Sequence, residues 1–177
     1  MGQQMDKTTN VMEVHLAESS LTSAERWETL IEHAAKGRVP VFTDGCVKQW
    51  GSAGFGWAGA GCCGKGRLCP WATSTDCEIA GIRDALEQFM PDSKIIVLSD
   101  STGAIAGLVK AGKTGRARTP DIAKAIQAIR DRQQRLGEDA VVFAWVKGHA
   151  GIEGNELADA EARMGAEEGD NWGRGRG

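Results

Sequence analysis

A chain of 177 residues, 41% apolar and 25% charged with a net charge of −3, has the make-up of one globular domain with a sizeable core. No apolar stretch approaches the ~18 residues of a membrane span, and no basic-then-apolar leader opens the chain, so neither membrane insertion nor secretion is expected. Five cysteines (Cys46, Cys62, Cys63, Cys69, Cys77) without a C-x₂-C pair argue against a zinc module and fit reduced thiols in an intracellular protein, nucleus and cytoplasm not being distinguished.

The net charge conceals an asymmetry. Residues 101–136 hold eight basic groups (Lys110, Lys113, Arg116, Arg118, Lys124, Arg130, Arg132, Arg135) against Asp121 and Asp131, while residues 153–170 hold seven acids and one base, Arg163. A basic segment inside an acidic chain points to a polyanionic partner as readily as to a solvated helix face.

In chain order, residues 1–21 are polar and without periodicity and read as a flexible segment. Met1-Gly2 begins like a myristoylation site, but Asp6 stands where that motif takes Ser or Thr. Residues 22–37 read as an N-terminal helix, capped by Thr22 or Ser23, with Trp27, Leu30, Ile31 and Ala34 on one face and Gly37 as its end. The spacing then predicts a main domain over residues 38–168. Strands are expected at 39–46, 53–60 and 66–71 as an antiparallel meander, and a helix at 75–90. A strand at 94–100 and a short helix at 104–109 follow, then a Gly-rich basic loop at 110–119. A helix at 120–136, with Thr119 as cap and Pro120 in its first turn, leads to a strand at 140–146 and a last helix at 155–165. The Gly/Arg-rich residues 169–177 read as a disordered tail. The expected fold class is α/β: a mixed five-stranded sheet, three strands antiparallel and then two parallel, flanked by helices.

Within this order four acids take comparable places. Asp44 and Asp100 each end an apolar strand, Glu78 opens the helix at 75–90, and Asp159 lies one turn beyond Asn155 in the last helix. Singly, each reads as a helix cap or a solvated turn, and Asp44-Gly45 is a common hairpin dipeptide. Together they read differently: neighbouring parallel strands bring their C-terminal ends to one place, and carboxylates crowded there repel unless a hard divalent cation joins them. Two such ions about 4 Å apart serve phosphodiester hydrolysis.

The blocks FTDG (residues 42–45), CEIAGIRDAL (77–86), VLSDS (97–101) and WVKGHAGIEGNELADAEA (145–162) together resemble ribonuclease H in type, order and spacing. The last block also resembles the ribonuclease H domains of LINE-type retrotransposons and reverse-transcriptase polyproteins. The resemblance implies an endonuclease that hydrolyses the RNA strand of RNA/DNA hybrids with two Mg²⁺ ions, Mn²⁺ being a substitute, during reverse transcription of a retroelement. A reverse transcriptase domain is then a partner, and the enzyme itself is expected to be monomeric. Asp44 would bridge both ions, Glu78 and Asp100 would complete one site, and Asp159 the other. His149, in the Gly-His-Ala-Gly loop at 148–151, would serve proton transfer or product release, a task suited to imidazole, and Asn155 would position that loop or the substrate.

For substrate contacts the resemblance implies Gly45, Cys46 and Ser101 beside the acids, and Lys113 and Arg116 of the basic loop on phosphates, with Arg130, Arg132 and Arg135 further along. Ser74 and Thr75 stand where cellular members often carry paired Asn, so the grip on RNA 2′-hydroxyls is expected to be looser. Cys46 replaces the usual Ser after Asp-Gly. Two rival readings are a non-catalytic hybrid-binding connection domain and a DNA nuclease or transposase of the wider superfold. The full acid set disfavours the first and the Gly-His-Ala-Gly loop the second.

Overall fold

In the computed structural model, which describes residues 3–4, 7–16 and 23–168, the elements run β1 (Gln3–Gln4), β2 (Met12–Glu13), α1 (Ala24–Ala35), β3 (Val39–Val47), β4 (Ala53–Gly59), β5 (Cys62–Leu68), α2 (Ser74–Gln88), β6 (Ile95–Ser99), α3 (Thr102–Thr114), β7 (Arg116–Ala117), α4 (Pro120–Leu136), β8 (Val141–Trp145) and α5 (Glu153–Glu168). The main sheet has the order β2-β8-β6-β3-β4-β5. Strands β3, β4 and β5 form the antiparallel meander, and β6 and β8 join β3 in parallel. The expected five strands are therefore present in their expected sense, with β2 added beside β8 as a short sixth.

The central parallel strands are continuously apolar because both faces are covered. Along β6, Ile95 and Val97 enter a core shared with Ile82, Leu86, Ile105, Leu108, Ile126 and Ile129 of α2, α3 and α4. Ile96 and Leu98 enter a second core with Trp27 and Ile31 of α1 and with Ala144, Val146 and Ile152. The period of two along one strand thus divides the molecule into two layers of helix on one sheet. Ser23 caps α1, accepting from the Arg26 N–H at 3.2 Å, and Trp27 meets Trp145 of β8 edge-on at 6.0 Å. No helix among the described residues is long and apolar enough to cross a membrane.

Four expectations are corrected. Residues 7–16 are not loose: the Thr9 N–H donates to Gly112 O at 2.9 Å, Val14 N–H to Phe143 O at 2.8 Å, and Arg130 to Lys7 O and Thr9 Oγ1. These bonds span more than a hundred residues, which local polarity cannot reveal. The third strand lies at 62–68 rather than 66–71, since its glycines Gly64 and Gly66 sit beneath Trp57 and Phe55 of β4 and need no side chains of their own. The helix expected at 104–109 extends to Thr114, so Lys110 and Lys113 are helical and not in a loop. Gly112, which weakens the helical pattern there, is where the Thr9 carbonyl comes too close for any Cβ. The last helix is likewise longer than expected, from Glu153 to Glu168. The cap alternative Thr22 and the tail at 169–177 lie outside the described residues.

Candidate active site

Register fixes the first two carboxylates. Thr43 of β3 pairs with Ser99 of β6, so the next residues, Asp44 and Asp100, leave the shared ladder side by side. Asp44 remains within β3, opposite Gly56 of β4, while Asp100 follows the end of β6. Glu78 arrives from α2, whose first turn is fixed by a capping box between Thr73 and Asp76. That helix lies so close to β3 that a Cβ on Gly45 would be 2.7 Å from the Glu78 backbone nitrogen. Gly45 is thus required for the approach of the helix that delivers Glu78.

One ligand oxygen from each of Asp44, Glu78 and Asp100 lies within 4.8 Å of the others. Asp44 and Glu78 are buried and Asp100 half-buried. Burial, then the Asp44 charge, pushes Glu78 up to about 10 from its ordinary 4.5. Burial also lifts Asp44 to about 6, with Asp100 and Asp159 adding repulsion against the relief given by Glu78 and by the Gly45 N–H, which donates to Asp44 Oδ1 at 2.8 Å. Asp100 is raised as well, by burial foremost, while Asn155 and His149 favour its charged form. Glu78 Oε2 is buried with no hydrogen-bond partner among the described residues.

Neighbouring loops hold these groups in place. Trp145 Nε1 donates to the Asp100 carbonyl at 3.0 Å, and the Val146 N–H donates to Ser99 O at 3.0 Å. A Cβ on Gly148 would sit 2.6 Å from Asp100 Oδ2, so the loop carrying His149 passes directly over that carboxylate. His149 is exposed and takes a left-handed backbone with φ 55°, a conformation that His tolerates better than most residues. Asn155 is buried and faces Asp100, yet its Nδ2 has no hydrogen-bond partner among the described residues. Asp159 is near enough to repel Asp44 and Asp100, but it stands outside the close group of three, and its Oδ2 is paired with Arg163 at 2.6 Å.

The other sequence candidates divide into two groups. Ser74 and Thr75 are exposed on the first turn of α2, and Cys46 is half-buried in β3 beyond Gly45. Ser101 caps α3, its Oγ accepting from the Ala104 N–H at 3.1 Å, so a structural role is already filled there. Lys113 and Arg116 are exposed on the last turn of α3 and on β7, with no ion pair among the described residues. The three arginines further on each have partners within the protein. Arg130 ties down residues 7–9, and Arg135 pairs with Asp92 at 3.1 Å. Arg132 is wholly buried and donates to the carbonyls of Leu86, Phe89, Met90 and Ser93 at 2.7–2.9 Å, closing the C-terminal end of α2. Sequence reasoning missed Trp145 and Gly148 as supports for Asp100. The only signal for them was their place in the block 145–162.

Oxygen donors, crowding and an unpartnered buried carboxylate oxygen suit a hard divalent cation, so Asp44, Glu78 and Asp100 fit such an ion. Comparison with known proteins agrees. The RNase H family model matches residues 36–167. A protein named Ribonuclease H from Hyphomonas neptunium (strain ATCC 15444) is 34% identical over 104 residues, covering 56% of this chain and 69% of that protein. With the mixed sheet, the flanking helices and the close group of acids, these matches establish that the chain belongs to the RNase H family and is a ribonuclease H enzyme.

Proposed function

We propose that the chain hydrolyses the RNA strand of RNA/DNA hybrids by two-metal-ion catalysis at Asp44, Glu78, Asp100 and Asp159. The observation that carries this reading is the close group Asp44, Glu78 and Asp100, with Glu78 Oε2 buried and unpartnered. Two Mg²⁺ ions, or Mn²⁺ in their place, supply when bound an activated water and charge neutralisation at the leaving oxygen. Asp44 would help to hold both. Glu78 and Asp100 would hold one ion, and Asp159, released from Arg163, would hold the other. His149, exposed above Asp100, moves a proton to or from the scissile phosphate or product, and Asn155 orients Asp100. Gly45 and Cys46 offer backbone to the bound strand, and Ser74 and Thr75 offer hydroxyls to the RNA minor groove.

The biological setting proposed is removal of RNA during reverse transcription of a retroelement, with a reverse transcriptase domain as partner. It rests on the likeness of residues 145–162 to such polyprotein domains. Five free thiols suit the reducing interior of a cell. The enzymatic reading is tested by incubating end-labelled RNA/DNA hybrid, RNA duplex and DNA duplex with Mg²⁺ or with EDTA. Cleavage confined to the RNA strand of the hybrid and to the Mg²⁺ arm is expected. No hybrid cleavage, or equal cutting of DNA duplex, refutes it. For the setting, hybrids made by reverse transcriptase on an RNA template should be stripped of RNA as synthesis proceeds; persistence of intact RNA counts against it.

A further inference from the structure

Two tryptophans are placed where apolar side chains are unexpected. Trp50, in the turn between β3 and β4, is 62% exposed, and Trp71, between β5 and α2, is 75% exposed. Trp71 also has φ 66°, a left-handed backbone that costs a bulky residue about 1–3 kcal/mol and persists only where neighbours enforce it. They do enforce it. The Trp71 N–H donates to Gly51 O at 2.8 Å, and the indole lies on Gly51 so closely that a Cβ there would be 2.6 Å from Cε2. The ring is thus clamped by one turn to another while most of its surface faces water.

Trp71 also lines a hollow of about 380 Å³ with Leu68, Cys69, Pro70 and Asp76. That volume is in the range of small-ligand pockets. The acids at the hollow are already engaged, Asp76 in the α2 cap and Asp121 on Arg83 at 2.9 Å, so they leave an aromatic wall and not a cation site. The location links the ring to the carboxylates. Trp71 precedes the α2 cap Thr73, and from Trp71 to Glu78 the chain spans at most about 17 Å between Cα atoms, roughly five base steps.

We infer that Trp71 is a stacking platform for an unpaired base of a strand running off the RNA/DNA hybrid. Inside a hybrid both π-faces of each base are covered by neighbouring pairs, so a rigid exposed indole stacks only on an unpaired or terminal base. The inference rests on the hybrid-cleaving reading above and adds a preference to it: hybrids whose single-stranded extension begins within about five base steps of the cut are held more tightly.

The test measures binding in the Asp100→Asn background, at fixed salt, with labelled hybrids that are blunt, extended by single-stranded DNA or extended by single-stranded RNA. With Trp71 present, an extension should tighten binding by roughly 5- to 150-fold, the range of one stacked base. Trp71→Ala should collapse the extended-to-blunt ratio towards one, and Trp71→Phe should restore much of it, as a lost fold contact would not. Equal binding of blunt and extended hybrids by the Trp71 protein, or an undiminished ratio in Trp71→Ala, overturns the inference while leaving hybrid cleavage standing. Failure to bind any hybrid overturns both.

Discussion

Replacing Glu78 by Gln should make the metal-free protein more stable while abolishing its activity. Glu78 is buried against Asp44 and Asp100, and burial with their charges carries it from 4.5 to about 10. A carboxyl raised in the folded state is at its least costly below the unfolded value, and stability is lost progressively as pH rises from 4.5 towards 10. Gln behaves as the protonated acid at every pH. At about 1.36 kcal/mol per pH unit, the gain for Glu78→Gln has an upper limit of about 4 kcal/mol at pH 7.5, and roughly 1 kcal/mol at pH 5.5. Because Asp44 shares the repulsion, roughly 2–4 kcal/mol at pH 7.5 is expected, near 10 °C in melting temperature for a chain of this size. The assay is denaturant unfolding in EDTA at a series of pH values. The gap should widen with pH, and Mg²⁺ should narrow it by stabilising the wild type. A variant no more stable than wild type at pH 8, or a gap that does not change with pH, refutes this account of the site.

Gly148→Ala should lower hybrid cleavage by at least tenfold with little change in unfolding, since its Cβ would meet Asp100 Oδ2 at 2.6 Å; full activity would show that the loop is not set by that contact. Arg132→Ala should cost roughly 3–5 kcal/mol in denaturant unfolding, because four carbonyls, two of them in fully buried bonds, lose their donor; a loss below 1 kcal/mol would contradict the burial argument. Lys113→Ala combined with Arg116→Ala should weaken hybrid binding and flatten its dependence on salt by roughly 1–2 in logarithmic slope. An unchanged slope removes both residues from the interface.

The parts of this molecule that could be read from sequence are those whose signal is local. The apolar runs ending in Asp44 and Asp100, the periodic helix carrying Glu78 and the Thr119-Pro120 start of α4 each declare themselves within a few residues. The illegible parts depend on partners distant in the chain. Residues 7–16 look loose because their order comes from Gly112, Arg130 and Phe143. Gly64 and Gly66 hide a strand because Phe55 and Trp57 fill the space above them. A cluster of Arg says nothing of direction, so Arg132 reads as surface charge when it lies wholly inside. Trp71 is similarly silent: nothing in its neighbours announces a left-handed turn clamped to Gly51.

The most direct test of the central claim is single-turnover cleavage of an RNA-labelled RNA/DNA hybrid by wild type and Asp100→Asn, with binding measured in parallel. With Mg²⁺ the wild type should cut the RNA strand, while Asp100→Asn should bind the hybrid and cut it at least roughly a thousandfold more slowly, the scale of a lost electrostatic contact in a transition state. Cleavage by Asp100→Asn at near wild-type rate would contradict the assignment of this carboxylate cluster as the catalytic centre.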